Sequence, residues 1–460
     1  MLFVSIPSFG LLERVPKGVD GIELRLDLFS SIDFPSLQDF LRNSPYPVLL
    51  TLRKKSQGGN FQASEGAREA LMERLLDLGP SFFDLEYDMR PEFIQSALKK
   101  YPKTKFILSY HNFEKIPSDL DAVLRAMSQY LVFSYKIAVK VHSANEALQM
   151  LLFSKKHPGV SAICMGEEGA FARILGKLMG NRIDYACIDS QRRSAPGQIS
   201  ADDLVKIYNY PSLNEKTLIY GLIGDPVEKS IGHIYHNGVF RKRGIDAVYV
   251  KMRVRLEELA EFLPLAKEVG IRGLSITMPL KEAIVPFVSE IEPAAQKIGS
   301  LNTLILGEEQ IVGTNTDGIG ALDAIEQKIS IQGKRVVLLG AGGAARAIAY
   351  EARKRGADVL VLNRTIQRAE ELARAIGCQS GGLDELPNHY DVLINCSSIP
   401  MPIKPEEMVP KTVVMDIIYA PRKTPFLKAA LLKKCRIVYG EKMFLNQAAK
   451  QTHFWTSRNN

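Results

Sequence analysis

"SYKIAVKV", residues Ser134 to Val141, sets a lysine in a run that otherwise reads as a buried strand of a parallel sheet, with β-branched and apolar residues on both sides. A strand lysine ordinarily faces solvent or pairs with a carboxylate. The surrounding chain gives this one a different setting. Up to about residue 190, short apolar runs alternate with amphipathic or polar segments: LFVSI, GIELRLDL, PVLLTLR, FFDLEY, KFILSYH, SYKIAVKV, SAICMG and IDYACI. Helical spacing is plain between several of them, as in AREALMERLLDLG and LDAVLRAMSQYL. Eight such repeats predict an α/β protein whose N-terminal part closes as a (β/α)8 TIM barrel. Chemistry in these barrels collects at the carboxyl ends of the strands. The polar residues fall there: Glu23 and Arg25 in the second strand, Arg53 ending the third, Glu86 in the fourth, His111 ending the fifth and Lys136 within the sixth. In a low-dielectric mouth lined by arginines, desolvation and repulsion lower the pKa of an inward lysine, which becomes a Schiff-base nucleophile.

The ordered motifs ELRLD, TLR followed by GG, SYHNF, YKIAV, MGEEGAFAR and RSAPGQIS resemble the type I 3-dehydroquinate dehydratases over essentially residues 1 to 210. The resemblance implies that Lys136 condenses with the ketone of 3-dehydroquinate. His111 then removes a proton from the adjacent carbon and helps water depart from the next. A protonated imine is an electron sink that acidifies the α-hydrogen, and an imidazole serves as base and then as acid. No metal is needed. Glu23, Arg25, Arg53, Arg173, Ser194 and Gln198 match positions that hold the carboxylate and ring hydroxyls, for which an arginine fork is suited. One departure stands in RKKSQGGN, where the family often has a glutamate before the paired glycines and this chain has Gln57. Without that acid, His111 is expected to have a lower pKa and the reaction a lower rate. His142 and His157 have no motif around them and read as structural or surface residues.

At 460 residues the chain exceeds what one hydrophobic core organises, so two or three domains are expected. Its 46% hydrophobic and 24% charged residues are ordinary for a globular protein, and no apolar run approaches a membrane span of roughly 20 residues. Five scattered cysteines without a C-x-x-C argue against a disulfide framework and against a zinc site. The opening MLFVSIPSFG reads as a first strand rather than a secretory or transit segment, and a cytoplasmic setting is expected. The net charge of +8 is spread along the chain without a nucleic-acid motif; anionic small substrates and a phosphate-rich cofactor account for it.

Near residue 210 the barrel pattern stops at YNYPSLNEK, and strand signals restart at TLIYGLIG. The segment KRVVLLGAGGAARAIAYEARKRGADVLVLNRT then reads as strand, glycine turn, helix and strand, a Rossmann unit. Gly340, Gly342 and Gly343, with Ala344 beside them and Ala345 at the third fingerprint position, leave the helix N-terminus open to a pyrophosphate. The second strand ends in Asn363, Arg364 and Thr365, with Arg368 nearby, where an acid would have read a ribose hydroxyl. These residues invite a 2′-phosphate, and NADP is expected rather than NAD.

Around this unit lie GLIGDPVEKSIGHIYHN, LSITMPLKEAIVPF, GSLNTLI and GTNTDGIGALDA before it, and MDIIYAPRKTPFL and GEKMFLNQAA after it. In that order they resemble shikimate dehydrogenase over about residues 217 to 460. The resemblance implies Lys281 and Asp317 as the catalytic pair, with Ser230, Thr277, Asn302, Tyr419 and Gln447 around the substrate. Hydride delivery to a ketone creates an alkoxide, and an ammonium held by a carboxylate supplies its proton. Here too the chain departs: the family usually has S-x-S, and this chain has Ser230, Ile231 and Gly232, with Lys229 where a histidine is common; the lost hydroxyl is expected to weaken substrate binding by about 1 kcal/mol unless Lys229 or a water compensates.

The expected organisation is a barrel over 1–212, a substrate-binding domain over 213–318 completed by about 440–460, and a nucleotide domain over 319–439. Together the halves resemble the bifunctional dehydratase and shikimate dehydrogenase of aromatic amino-acid biosynthesis. That resemblance implies 3-dehydroquinate and 3-dehydroshikimate as substrates; from the spread of charge and the lack of a long apolar run, neither nucleic acid nor membrane is expected as partner. Two other readings compete. A silent metabolite sensor is disfavoured by the retained Lys136, His111, Lys281 and Asp317, and a quinate-oxidising enzyme is kept open by Gly232. The sequence sets no oligomeric state.

Overall fold

The computed structural model describes residues 1–189, 191 and 197–457, which form two compact units. The first contains β1 (Leu2–Ile6), β2 (Gly21–Arg25), β3 (Val48–Thr51), β4 (Phe82–Glu86), β5 (Lys105–Asn112), β6 (Ser134–Lys140), β7 (Val160–Met165) and β8 (Asp184–Cys187). Each lies on one of the eight apolar runs. All pairings are parallel, in the order β7-β6-β5-β4-β3-β2-β1-β8, which gives a nearly closed barrel. At the seam between the two ends of that order, a side chain stands in for a strand. The buried Asn181 amide accepts from Ala162 N at 2.9 Å and donates to Ala162 O at 3.1 Å, while Ile183 N donates to Ser161 Oγ at 3.0 Å. A peptide-like group with one donor and one acceptor satisfies both edge groups of Ala162.

The period of two along each strand sorts the residues into layers. Low in the barrel the inward positions are apolar, with Phe3, Leu49, Phe82 and Ile107 in one buried cluster and the Phe3 and Phe82 rings packed edge to face at 5.1 Å. Two residues further along the same strands the inward positions are Ser5, Thr51, Asp84 and Ser109. The apolar layer is therefore a floor, and the polar layer is the base of a site. Loops entering the helices supply serine caps: Ser64 Oγ accepts from Ala67 N at 3.3 Å and Ser143 Oγ from Glu146 N at 3.1 Å.

The second unit holds a mixed sheet and a parallel one. In the mixed sheet, Ile271–Ile276 pairs antiparallel with Thr303–Leu306, which pairs antiparallel with Ile311–Thr314. The parallel sheet has six strands, running Gln379–Gly381, Asp358–Leu362, Arg335–Leu339, Val392–Asn395, Val413–Asp416 and Arg436–Tyr439 across its width. Its order reverses direction between Arg335–Leu339 and Val392–Asn395, the switch point at which doubly wound sheets bind ligands. The C-terminal helix, Gly440–Ser457, returns to the mixed sheet: Trp455 is fully buried and donates from Nε1 to Leu304 O at 3.0 Å. It also crosses helix Asp317–Ile325 at Gly320, where a Cβ would lie 2.8 Å from that of Gln447.

Candidate active sites

Lys136 is the middle inward residue of β6, 7% exposed, level in register with Ser109 of β5. His111 is two residues further along β5 and so one inward position nearer the mouth. Both line a cavity with Glu23, Arg25, Arg53, Arg173 and Gln198, so the barrel brings these predicted residues together. Ser194 lies outside the described residues.

The polar floor holds the charges in place. Glu23 accepts from Ser5 Oγ and from Thr51 Oγ1, the latter at 2.9 Å. Arg53 reaches Asp84 at 2.8 Å and donates to Ser109 Oγ at 2.6 Å, and Arg25 forks onto Asp27 at 2.8 and 2.9 Å. Burial works against the Arg53 charge, but Asp84 and Glu86 hold its pKa above the ordinary range. The Lys136 ammonium lies 3.9 Å from Glu23 and 3.8 Å from Asp84, beyond hydrogen-bond reach. Burial lowers its pKa, Glu23 and Asp84 oppose the shift, and Arg53 and Arg25 add to it, in the direction expected from the sequence.

His111 lies parallel to Phe113 with ring centroids 6.1 Å apart, and its Nδ1 has no hydrogen-bond partner among the described residues. Desolvation, then Arg53, Lys136 and Arg25, push its pKa well below the usual value, so the imidazole is neutral. Gln57 lines the same cavity; its Nε2 donates to Asp88 at 3.3 Å and its buried Oε1 has no partner among the described residues. Arg173 is 4% exposed with no carboxylate paired to it among the described residues, and burial lowers its pKa. A buried guanidinium that lacks a paired carboxylate is costly, and an anionic ligand would offset that cost. Outside the cavity, His142 contacts Glu114 O at 2.6 Å and His157 lies 3.0 Å from Asp121.

In the second unit Lys281 Nζ donates to Asp317 Oδ2 at 2.5 Å, and Asn302 Nδ2 donates to Oδ1 of the same carboxylate at 2.9 Å. Asp317 opens helix Asp317–Ile325, where the helix dipole favours a negative charge. Asn302 is fixed in turn: its Oδ1 accepts from Thr316 N at 2.9 Å, and its Nδ2 lies 3.3 Å from Gln447 Oε1. Thr277 follows strand Ile271–Ile276 and is half-buried. Tyr419 is bonded to the Ser230 side chain; burial raises its pKa against that bond. Ser230 Oγ also accepts from Gly232 N at 3.2 Å, so the residue without a hydroxyl meets the serine through its backbone.

The residues expected to cradle a dinucleotide fit one. Gly340 ends strand Arg335–Leu339 with φ +118, and a Cβ there would meet Ser397 N at 3.1 Å. Gly342 caps the twelve-residue helix Gly343–Lys354, and a Cβ on it would meet nothing within 4 Å. The helix N-terminus is thus open at the switch point. Asn363, Arg364, Thr365 and Arg368 follow strand Asp358–Leu362; both arginines are exposed and neither has an acidic partner among the described residues.

Sequence reasoning missed Asp84, Ser109 and Tyr185 in the barrel and Thr316 in the second unit. The first two were readable: Asp84 is two residues before Glu86 and Ser109 two before His111, so each faces inward with its successor. Tyr185 carried no signal, because an aromatic residue in a strand ordinarily reads as core.

Residues 10–215 match the model of type I 3-dehydroquinase, 222–304 that of the shikimate dehydrogenase substrate binding domain, and 323–422 that of shikimate / quinate 5-dehydrogenase. The chain is 35% identical over 463 residues to the shikimate biosynthesis protein AroDE of Chlamydia pneumoniae, covering 98% of this chain and 94% of that one. It is 35% identical over 473 residues to the chloroplastic bifunctional 3-dehydroquinate dehydratase/shikimate dehydrogenase of Arabidopsis thaliana, covering 95% and 78%. Among solved structures, shikimate 5-dehydrogenase from Thermus thermophilus in complex with NADP(H) and shikimate is 32% identical, with a TM-score of 0.50, over 52% of this chain and 94% of that one. With both halves matched in order over 94% of the Chlamydia protein and 78% of the Arabidopsis one, the chain belongs to the family that joins a type I 3-dehydroquinate dehydratase to a shikimate dehydrogenase.

Proposed function

We propose that this chain converts 3-dehydroquinate to 3-dehydroshikimate in its barrel and reduces 3-dehydroshikimate to shikimate with NADPH in its second half. The observation that carries the reading is the pairing, in one chain, of a buried lysine beside a neutral histidine with a lysine and aspartate pair near a dinucleotide cradle.

In the barrel, the neutral Lys136 amine adds to the substrate ketone and water leaves, giving an iminium. His111, neutral for the reasons above, takes a proton from the adjacent carbon, and the electrons of that C–H bond pass toward the iminium nitrogen. The resulting enamine expels the hydroxyl on the next carbon as the His111 imidazolium returns its proton, so that water departs. Hydrolysis of the iminium then frees Lys136. Arg173, without a carboxylate partner among the described residues, receives the substrate carboxylate, and Glu23, Arg25, Arg53 and Gln198 hold ring oxygens, a role that its motif also implies for Ser194 outside the described residues.

In the second half, NADPH supplies hydride when bound along Gly340, Gly342, Gly343 and Ala344, with Asn363, Arg364, Thr365 and Arg368 on its 2′-phosphate. Lys281 gives a proton to the oxygen of the reduced carbonyl, and Asp317 holds that ammonium in position. Asn302 fixes the carboxylate from the other side. Ser230, Thr277, Tyr419 and Gln447 bind the hydroxyls and carboxylate of the substrate. The barrel spans 1–212, the substrate domain 213–318 with 440–460, and the nucleotide domain 319–439. No helix among the described residues is long and apolar enough to cross a membrane.

The test is a single assay with 3-dehydroquinate, run with and without NADPH. Without the cofactor 3-dehydroshikimate accumulates; with it NADPH is consumed and shikimate forms. Formation of neither product from 3-dehydroquinate would refute the reading.

A further inference from the structure

The Lys136 nitrogen has an uncharged neighbour that the mechanism above does not use. Tyr185, on β8, presents its ring to Nζ at 3.9 Å from the centroid. Both carboxylates near that nitrogen are committed elsewhere: Glu23 to Ser5 and Thr51, and Asp84 to Arg53 and Ser109. Among the described residues Nζ makes no hydrogen bond; the ring face lies as close to it as the Glu23 and Asp84 carboxylates at 3.9 and 3.8 Å, and shares with them the support of a charge that Arg53 and Arg25 oppose. The other end of Tyr185 is equally unusual. The residue is 5% exposed and lines the cavity, yet its buried hydroxyl has no hydrogen-bond partner among the described residues. A buried tyrosine ordinarily finds a partner for that group.

We propose that Tyr185 is a positioning residue of the dehydratase: its ring face holds the Lys136 nitrogen while it is cationic, as ammonium and then as iminium, and its hydroxyl donates to a substrate oxygen. A ring quadrupole attracts a cation without accepting its proton. It therefore supports the positive charge that makes the iminium an electron sink, yet does not lock the free amine into a salt bridge. Burial, with Glu23 and Asp84 nearby, keeps the phenol protonated and so a donor at every working pH.

The inference rests on the Schiff-base reading, and the experiment separates the two. Borohydride is added with 3-dehydroquinate across a range of pH, and the adduct is located by mass spectrometry in the full chain. Tyr185→Phe removes only the hydroxyl and should raise KM about tenfold with kcat within about twofold. Progressively fluorinated phenylalanines at position 185 keep the shape and weaken the ring's hold on a cation. Across that series kcat should fall stepwise and the pH midpoint of trapping should move downward, as the ammonium loses support. Dehydrogenase activity of the same chains reports how much folded protein each preparation contains. A wild-type KM in Tyr185→Phe, with kcat and trapping midpoint unchanged across the fluorinated series, overturns the inference while leaving the Schiff base intact. Failure to trap an adduct on Lys136 in the unaltered chain overturns the Schiff-base reading and this inference with it.

Discussion

Lys281 and Asp317 are joined at 2.5 Å across 36 residues of sequence, and the aspartate's second oxygen is held by Asn302 at 2.9 Å. The ammonium therefore has a fixed position relative to helix Asp317–Ile325, which a lysine on a surface loop would lack. Its placement is the condition for proton delivery to a single oxygen.

Removing either member should abolish reduction and leave dehydration untouched. Lys281→Met deletes the proton donor, and Asp317→Asn leaves the ammonium without its anchor. Each should lower kcat for 3-dehydroshikimate about a thousandfold. Dehydration of 3-dehydroquinate, followed separately in the same preparations, should stay within about twofold. Equal loss of both activities would mean that the substitutions unfold the chain.

The pH dependence of dehydration follows from His111. Its pKa lies well below the ordinary value through desolvation, Arg53, Lys136 and Arg25, so the base form persists as pH falls through about 6.5. The acid limb of kcat/KM should accordingly lie below that pH. The sign for stability runs the same way: below about pH 6.5 the unfolded chain binds the proton that folded His111 refuses, so stability present above that pH is lost as it falls. Gln57→Glu places a carboxylate on the same cavity and should move the acid limb upward by about one pH unit. An unmoved limb would show that position 57 does not reach His111 electrostatically.

Much of this was legible in the sequence, for a physical reason. Each barrel strand is bounded by polar segments and repeats an inward position every second residue, so Glu23, Arg53, His111 and Lys136 could be assigned to one mouth by counting. The glycine turn was readable because Gly340 and Gly342 stand between an apolar strand and an amphipathic helix. The network beneath the lysine was not foreseen. Whether Asp84 turns toward Arg53 or toward Lys136 depends on distances of 2.8 and 3.8 Å between three strands, and no local pattern encodes that comparison. The seam shows the same limit: Asn181 reads as a loop residue, and its role as a substitute strand exists only once Ala162 is opposite it.

Cofactor choice should rest on two exposed arginines. Arg364 and Arg368 have no acidic partner among the described residues and follow the strand whose end faces the ribose in this fold. Replacing both with serine should raise KM for NADPH by about 10- to 100-fold and change that for NADH by less than about threefold. Parallel losses for both cofactors would indicate that the arginines support the turn rather than read the phosphate.

The C-terminal helix should be indispensable to reduction, although it follows the whole nucleotide-binding segment in sequence. Gln447 lies 3.3 Å from Asn302 Nδ2, Gln451 Nε2 donates to Asn302 O at 2.9 Å, and Trp455, fully buried, donates to Leu304 O. Deleting the chain from Gly440 onward removes all of these at once. It takes the Gln451 donor from the Asn302 carbonyl, which keeps only Ile276 N at 2.8 Å, and leaves an exposed apolar surface where the tryptophan had been. Reduction should fall below detection, while dehydration in the barrel stays within about twofold. The milder Gln447→Ala keeps the helix and removes the Oε1 contacts with Asn302 Nδ2 and Thr316 Oγ1, both at 3.3 Å, and should lower kcat/KM for 3-dehydroshikimate about tenfold without changing the melting temperature by more than about 3 °C. Separate assays of the two half-reactions on both variants decide the matter. A truncated chain that still reduces 3-dehydroshikimate would mean that the substrate domain is complete without its returning helix.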